Sequence, residues 1–304
     1  MPSRKKSRKA AYPGTQQPAA FQFKIGLLNS TDDKNLGVGQ DWLVTALRQG
    51  MNDAAGTKVQ IVQRSAKNKY GKKKYPKVLD DLADELVVVE NVQLIVASGG
   101  IVSARAAAAA GAKTSPPTPV LVCLGQADTT LPTSFVAGVN LNTPGQNDYR
   151  AALLKNRNGL ASEDNICLVV NSNSAMGKSE RDQWDATGRP FVETGRSGNN
   201  DDGRLGKAFE YAVDDGAEAF IISSDPFFTS KAKKLFTIIK GTNLPACFPF
   251  KEYLDGQTPN QKYVSWGPSL VDAYVTLGEQ AIGILTPTGP FPQIVVVTST
   301  QFPP

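Results

Sequence analysis

Strand-like and helix-like patterns alternate along most of the chain, in two successive series separated by a Pro-Gly turn, and this predicts an α/β protein of two doubly wound, Rossmann-like lobes. Three observations carry the expectation. Short runs rich in Val, Ile and Leu recur at the spacing of parallel strands joined by crossovers. The segments between them place apolar residues on a single helical stripe. A length of 304 residues, with 40% hydrophobic and 20% charged residues, is ordinary globular composition and long enough for two lobes.

The first series opens with KIGLLN (24–29), read as a strand, and continues with Leu43, Ala46, Leu47, Gly50, Met51 and Ala54 on one helix face. KVQIVQR (58–64) is the second strand, and Leu79, Leu82, Ala83, Leu86 and Val87 stripe the second helix. VQLIVAS (92–98), an alanine-rich helix, VLVCLG (120–125) and FVAGVNL (135–141) complete the series. The second series runs NICLVVNS (165–172), PFVETG (190–195), a helix faced by Leu205, Ala208, Phe209, Ala212 and Val213, AFIISS (219–224), a helix from about residue 230, and ACFPF (246–250). LNTPGQN (141–147) is the crossover between the two. A late helix from Ser269, striped by Leu270, Ala273, Tyr274, Leu277, Ala281, Ile282 and Leu285, is expected to return to the first lobe, and QIVVVTST (293–300) follows it. The expected lobes are residues 22–141 plus about 266–287, and 142–265 plus about 288–304, after a disordered basic leader at 1–21.

Arg4, Lys5, Lys6, Arg8 and Lys9 account for the whole formal charge of +5, so the folded body is neutral and no nucleic-acid partner is expected. The leader resembles the start of a secretory signal, but AAYPGTQQPAAF supplies no apolar h-region. No run of 18 apolar residues is present, so no membrane span is expected. Cys123, Cys167 and Cys247 each lie in an apolar run and read as buried free thiols. The Lys-rich run at 67–77 reads as a solvated loop.

The chain has no histidine, which excludes Ser-His-Asp and Cys-His catalysis and His-bearing zinc sites. No enzyme, metal or cofactor is expected. SNSAMGKS (172–179) ends like a phosphate-binding loop, but Ser172 stands where that motif needs glycine. ASGGIVSARAAAAAG (97–111) runs from a strand through two glycines into a helix; it suits either an anion at the helix start or a tight turn with no ligand. In open α/β sheets ligands sit beyond the carboxyl ends of the strands. Those ends read Asn29-Ser30, Ser98-Gly99-Gly100, Gly125-Gln126, Asn171-Ser172 and Ser223-Ser224-Asp225, small or hydrogen-bonding residues that orient a polar ligand without a nucleophile. In IISSDPFFTS (221–230) two readings stand: Asp225 faces a ligand ammonium and Phe227 or Phe228 covers its apolar part, or Asp225 caps a helix with Pro226 at its first position and both rings fill the core.

LRQGMNDAAG, LADELV, LIVASGG, GVNLNTPGQN, SDPFFTSKAKK, LPACFPFKEYLDGQ and SWGPSLVDAY occur in this order from residue 47 to residue 274. On these segments the chain, from residue 24 to its end, resembles ABC-transporter substrate-binding proteins of the tryptophan/tyrosine-uptake type. The resemblance implies a type I periplasmic-binding fold with strand order 2-1-3-4-5 in each lobe, a three-segment hinge, and a small ligand, often an aromatic amino acid, closed between the lobes. It places Asn29, Ser30, Ser98, Gly99, Gly100 and Gln126 on the first wall, and Asn171, Asp225, Phe227, Trp266, Gly267, Pro268 and Ser269 on the second. Relatives often read Arg-Trp-Ala where this chain has Arg64-Ser65-Ala66, which removes an aromatic wall. The implied partners are a small-molecule ligand and an ABC permease, in a periplasmic or other extracytoplasmic setting. The missing export signal instead favours a cytoplasmic sensor of the same fold.

Overall fold

The computed structural model describes residues 21–30, 41–54, 56–66, 75–125, 128–141, 145–194, 201–257, 260–287 and 289–296, with backbone only at 75, 76, 201–203 and 296. The basic leader, the Lys-rich run up to residue 74 and Gln126 lie outside the described residues.

The first lobe is built from β1 (Phe23–Asn29), α1 (Trp42–Gly50), β2 (Val59–Ser65), α2 (Tyr75–Asp84), β3 (Leu94–Ser98), α3 (Ile101–Gly111), β4 (Val120–Leu124) and β5 (Val136–Asn140). The second follows with α4 (Gln146–Asn158), β6 (Ile166–Asn171), α5 (Ala175–Asp185), β7 (Phe191–Thr194), α6 (Asp201–Asp214), β8 (Ala219–Ile222), α7 (Pro226–Ser230), α8 (Ala232–Thr242), β9 (Ala246–Phe248) and β10 (Tyr263–Ser265). The chain ends with α9 (Leu270–Leu285) and β11 (Ile294–Val296). The sheets have the orders β2-β1-β3-β4-β5-β11 and β7-β6-β8-β9-β10, with every pairing parallel. Counted within each lobe, the first five strands of both sheets run 2-1-3-4-5.

Sequence chemistry accounts for these layers. β3, β4, β5, β6, β8 and β9 are buried along their whole length, as central parallel strands covered on both faces must be. The edge strand β2 is only partly buried. Helix α1 stops earlier than its apolar stripe suggests, because Asn52 turns into the left-handed region (φ 53°) and breaks the hydrogen-bond ladder. Helix α2 continues into a wider turn over Glu85–Val89, closed by Glu90 N–H donating to the Glu85 carbonyl at 3.0 Å. That turn buries Leu86 and Val87 and leaves Val88 and Val89 72% exposed.

One sequence expectation needs correction. The sequence expectation places the final strand in the second lobe, but Ile294 pairs with Gly138 and Val296 with Asn140, so β11 extends the first sheet. Helix α9 packs against β3, β4 and β5, and the Pro-rich connection after it delivers the chain to the open edge of β5. The described chain crosses between lobes twice, after Leu141 and between Ser265 and Leu270. A third crossing would lie beyond Val296, outside the described residues. The sequence patterns give no sign of α4, α5 or β10, whereas α7 is the helix that the Asp225-Pro226 start signal announces.

Apolar clusters cover the outer faces. One packs α2 and α3 on the first sheet; another packs α4 and Trp184 on the second. A third runs without a break from Leu27, Leu47 and Val96 through Tyr274, Leu270, Phe250 and Tyr253 to Phe228, Phe236 and Phe248. The two lobes therefore share apolar packing at the hinge.

Candidate ligand cleft between the lobes

The carboxyl ends of both sheets meet. A Cβ built on Gly100 would lie 3.4 Å from Pro226 Cγ, and one built on Gly125 would lie 1.8 Å from Met176 Cε. Gly100 and Gly125 end strands of the first lobe, whereas Pro226 and Met176 begin helices of the second. The lobes are thus shut on one another, with glycines at the points of contact.

On the first wall, Gly99 and Gly100 have φ of 88° and 90°, which only glycine adopts without strain. Space demands glycine as well, since a Cβ on Gly99 would fall 1.7 Å from Ser30 Oγ. Ser30 N–H donates to the Ser98 carbonyl at 3.1 Å, and its hydroxyl donates to the Gly99 carbonyl at 2.8 Å. The Ser98 hydroxyl hydrogen-bonds to the hydroxyl of Tyr274 on α9. Asn29 ends β1 beside this turn, half-buried. The first wall is therefore a tight strand-to-helix turn whose serine hydroxyls brace the backbone and the hinge helix.

On the second wall, Asp225 is the N-cap of α7. Its Oδ1 accepts from Phe227 N–H at 2.8 Å and from Asn171 Nδ2 at 3.2 Å, and Pro226 holds the first helical position. Asn171 Oδ1 in turn accepts from Asn173 N–H at 3.1 Å. Burial pushes the Asp225 carboxyl above its ordinary range, against the lowering effect of hydrogen bonds from Ser174, Phe227 and Asn171. Phe228 is fully buried; Phe227 is half-buried, edge-on to it at 5.2 Å, and packs on the shared apolar cluster. The cap is present and Phe228 fills the core, whereas the Phe227 ring is only half-buried.

The hinge segment is also accounted for locally. The Trp266 ring packs in the second lobe's outer cluster and stacks on Tyr149 at 4.9 Å, and its Nε1 has no hydrogen-bond partner among the described residues. Gly267 is required because a Cβ would meet the Pro249 carbonyl oxygen at 1.9 Å. Pro268 is buried. Ser269 is the N-cap of α9, accepting from Asp272 N–H at 3.1 Å and donating to Glu252 Oε1 at 2.8 Å.

Sequence reasoning missed a buried polar group beside these strand ends. The fully buried Arg150 guanidinium donates to the Trp266 carbonyl (2.9 Å), Asn147 Oδ1 (2.8 Å), Gln146 Oε1 (3.3 Å) and Ser224 Oγ (3.1 Å). Glu180 Oε1 accepts from Gln146 Nε2 at 3.0 Å and from Ser224 N–H at 3.1 Å. Burial drives both groups toward neutrality, raising the Glu180 carboxyl and lowering the Arg150 guanidinium, while their opposite charges oppose that drift. Gly125, Gln146, Asn147, Met176, Glu180 and Trp184 line part of a cavity of about 30 Å³, room for about one water, at the seam between the lobes. Among the described residues no cluster of three or more His, Cys, Asp or Glu side chains is placed to hold a metal ion, and no helix is long and apolar enough to cross a membrane.

Neither a protein-family model nor a curated protein matches the sequence. Solved structures do. An ABC domain from Streptococcus pneumoniae in complex with L-Trp is 15% identical, aligned over 90% of this chain and 88% of its own, with a TM-score of 0.62. An ABC-transporter solute-binding protein from Bacillus halodurans with bound myo-inositol is 10% identical, over 94% and 96%, at 0.60. A dimeric lac repressor is 12% identical, over 91% and 97%, at 0.59. The chain has the type I periplasmic-binding-protein fold. At these identities the likeness is one of fold. Transport proteins and transcriptional repressors share the type I architecture, so the fold by itself does not separate the two roles.

Proposed function

We propose that this protein binds a small polar molecule between its lobes by hinge closure and serves as the solute-binding component of an ABC uptake system. The observation that carries the reading is the meeting of two 2-1-3-4-5 sheets at their carboxyl ends, where ligands of open α/β sheets sit. The walls would be Asn29, Ser30, Gly99 and Gly100 on one side and Asn171, Asp225 and Phe227 on the other, with Gln146 and Glu180 at the seam. Ser98, Trp266, Gly267, Pro268 and Ser269 act behind this surface, fixing the turn and the hinge. With its carboxylate engaged by Phe227 N–H and Asn171, Asp225 orients Asn171 rather than reading a ligand ammonium alone. The L-Trp complex among the structural neighbours supports an amino-acid ligand, and the myo-inositol complex supports a polyol.

Native mass spectrometry of the purified full chain, with thermal-shift titration of L-tryptophan, other amino acids and myo-inositol, tests the reading. A ligand at about 100 times its Kd adds about 2.7 kcal/mol to stability. Absence of any retained small molecule and of any shift across the panel would refute ligand binding. The repressor neighbour supports a second reading, a cytoplasmic sensor of the same fold. Fractionation of the host separates the two: a periplasmic pool eliminates the sensor, and strictly cytosolic protein eliminates the uptake role.

A further inference from the structure

Glu252 lies in the short helical turn Lys251–Tyr253 that follows β9, on the carboxyl side of the second sheet, and it is fully buried. Its Oε1 accepts from the Ser269 hydroxyl at 2.8 Å and from Val271 N–H at 3.1 Å, both at the N-terminus of α9. Its Oε2 has no hydrogen-bond partner among the described residues. A carboxylate at this end of a helix is favoured by the exposed amides, whereas a buried oxygen without a donor is not. The contact therefore combines one satisfied oxygen with one that would gain from hydration.

What it joins gives the contact its meaning. Helix α9 packs on α1 and on β3, β4 and β5 of the first lobe, and its backbone approaches α1 closely enough that a Cβ on Gly50 would fall 1.9 Å from the Val275 carbonyl oxygen. The turn that carries Glu252 is fixed just as firmly to the second lobe. The Tyr253 ring stacks on Phe248 at 5.2 Å, and its hydroxyl hydrogen-bonds to Thr229 Oγ1 of α7 at 3.1 Å. Helix α7 is the element whose Pro226 meets Gly100 across the cleft. A continuous path of contacts thus runs from the cleft, through α7 and Tyr253, to Glu252 and the hinge helix.

We propose that Glu252 is a positioning residue of lobe closure, tying the N-terminus of α9 to the loop after β9 when the lobes are shut and releasing it when they open. The inference rests on the hinge-closure reading above and names the residue through which the hinge is set. Opening hydrates the carboxylate and supplies the donor that Oε2 lacks. Burial pushes the Glu252 carboxyl above its ordinary range, opposed by the bonds from Val271 and Ser269 and by the charge of Lys251. Asp272 is the acidic residue in the first turn of α9. Protonated Glu252 therefore favours the shut state, and rising pH favours the open one.

The test is an interlobe distance measured by paired spin labels on the full chain, without added ligand, between pH 5 and 8. Val88→Cys and Tyr211→Cys place labels on exposed positions of the two lobes, and the three native thiols are buried. With Glu252 intact, the distance distribution should shift outward by more than about 2 Å as pH rises. Glu252→Gln, whose amide oxygen keeps both bonds to α9, should remove that response, and Glu252→Ala should widen the distance at every pH. A Glu252→Gln profile that tracks the parent, or a Glu252→Ala distance equal to it, overturns the proposal even where melting temperatures fall, since a purely structural cap would lower stability without setting the distance. Native mass spectrometry on the same samples judges ligand binding separately, so failure of that reading is told apart from failure of this one.

Discussion

At the scale of single residues, Asp225 decides how the second wall is read. Its carboxylate holds the first turn of α7 through Phe227 N–H and supplies the acceptor for Asn171 Nδ2. Replacing Asp225 with Ala removes an N-cap and leaves a buried amide without its partner. A loss of about 1–2 kcal/mol is expected from urea unfolding, the usual cost of a deleted cap. The capping role was legible in the sequence, because Asp-Pro before a helical pattern is a start signal of known mechanism. The role of Ser98 was not. Its partner Tyr274 is 176 residues away, and nothing local announces that a strand-end serine turns toward a hinge helix instead of the cleft. Arg150 and Glu180 were invisible for a related reason: a charged residue reads as solvent-facing until the fold supplies partners on every side.

At the scale of elements, strands were easier to read than helices. Central parallel strands such as β3 and β4 are unbroken apolar runs, whose burial on both faces leaves a plain signal. Helices α4 and α5 bury Gln146, Arg150 and Glu180 on their inner faces, so no apolar stripe marks them. β10 spans only three residues, too few for alternation to register. For β11, the pattern indicates a strand but carries no information about which sheet edge it joins. Helix α9 offers a test with two signs. A Cβ on Gly278 would meet the Leu47 carbonyl oxygen at 2.3 Å, whereas one on Gly283 would meet nothing within 4 Å among the described residues. Gly278→Ala is expected to destabilise by about 1–3 kcal/mol because backbone must move. Gly283→Ala, in the same helix, should instead stabilise by up to about 1 kcal/mol. Urea midpoints of the two variants, measured side by side, check the contrast.

For the whole molecule, buried acids set the pH dependence. Burial raises the carboxyls of Glu180, Asp225 and Glu252 in the folded state, so their stabilising contribution is present below ordinary carboxyl values and is lost as pH rises through the folded ones. Three acids act in the opposite sense. The Arg105 hydrogen bond holds Asp128 down at about 2, and the Lys24 hydrogen bond lowers Glu90. Asp53 is pushed up by burial but lowered on balance by the amides of Lys58, Val59 and Thr57 and by Arg48. Their contribution is present above ordinary carboxyl values and is lost as pH falls through their lowered folded values. Melting temperature should therefore peak at mildly acidic pH and decline on both sides, as calorimetry across pH 3 to 9 would record.

The apolar cluster that passes through the hinge without a break has a consequence for how the halves depend on each other. Proteins in which each half owns a sealed interior can be cut at the linker and survive as pieces. Here Phe250, Leu270 and Tyr274 complete an interior that neither half encloses alone, so a severed half would present a greasy flank to water and self-associate. The halves can swing only as far as that common lining stays dry.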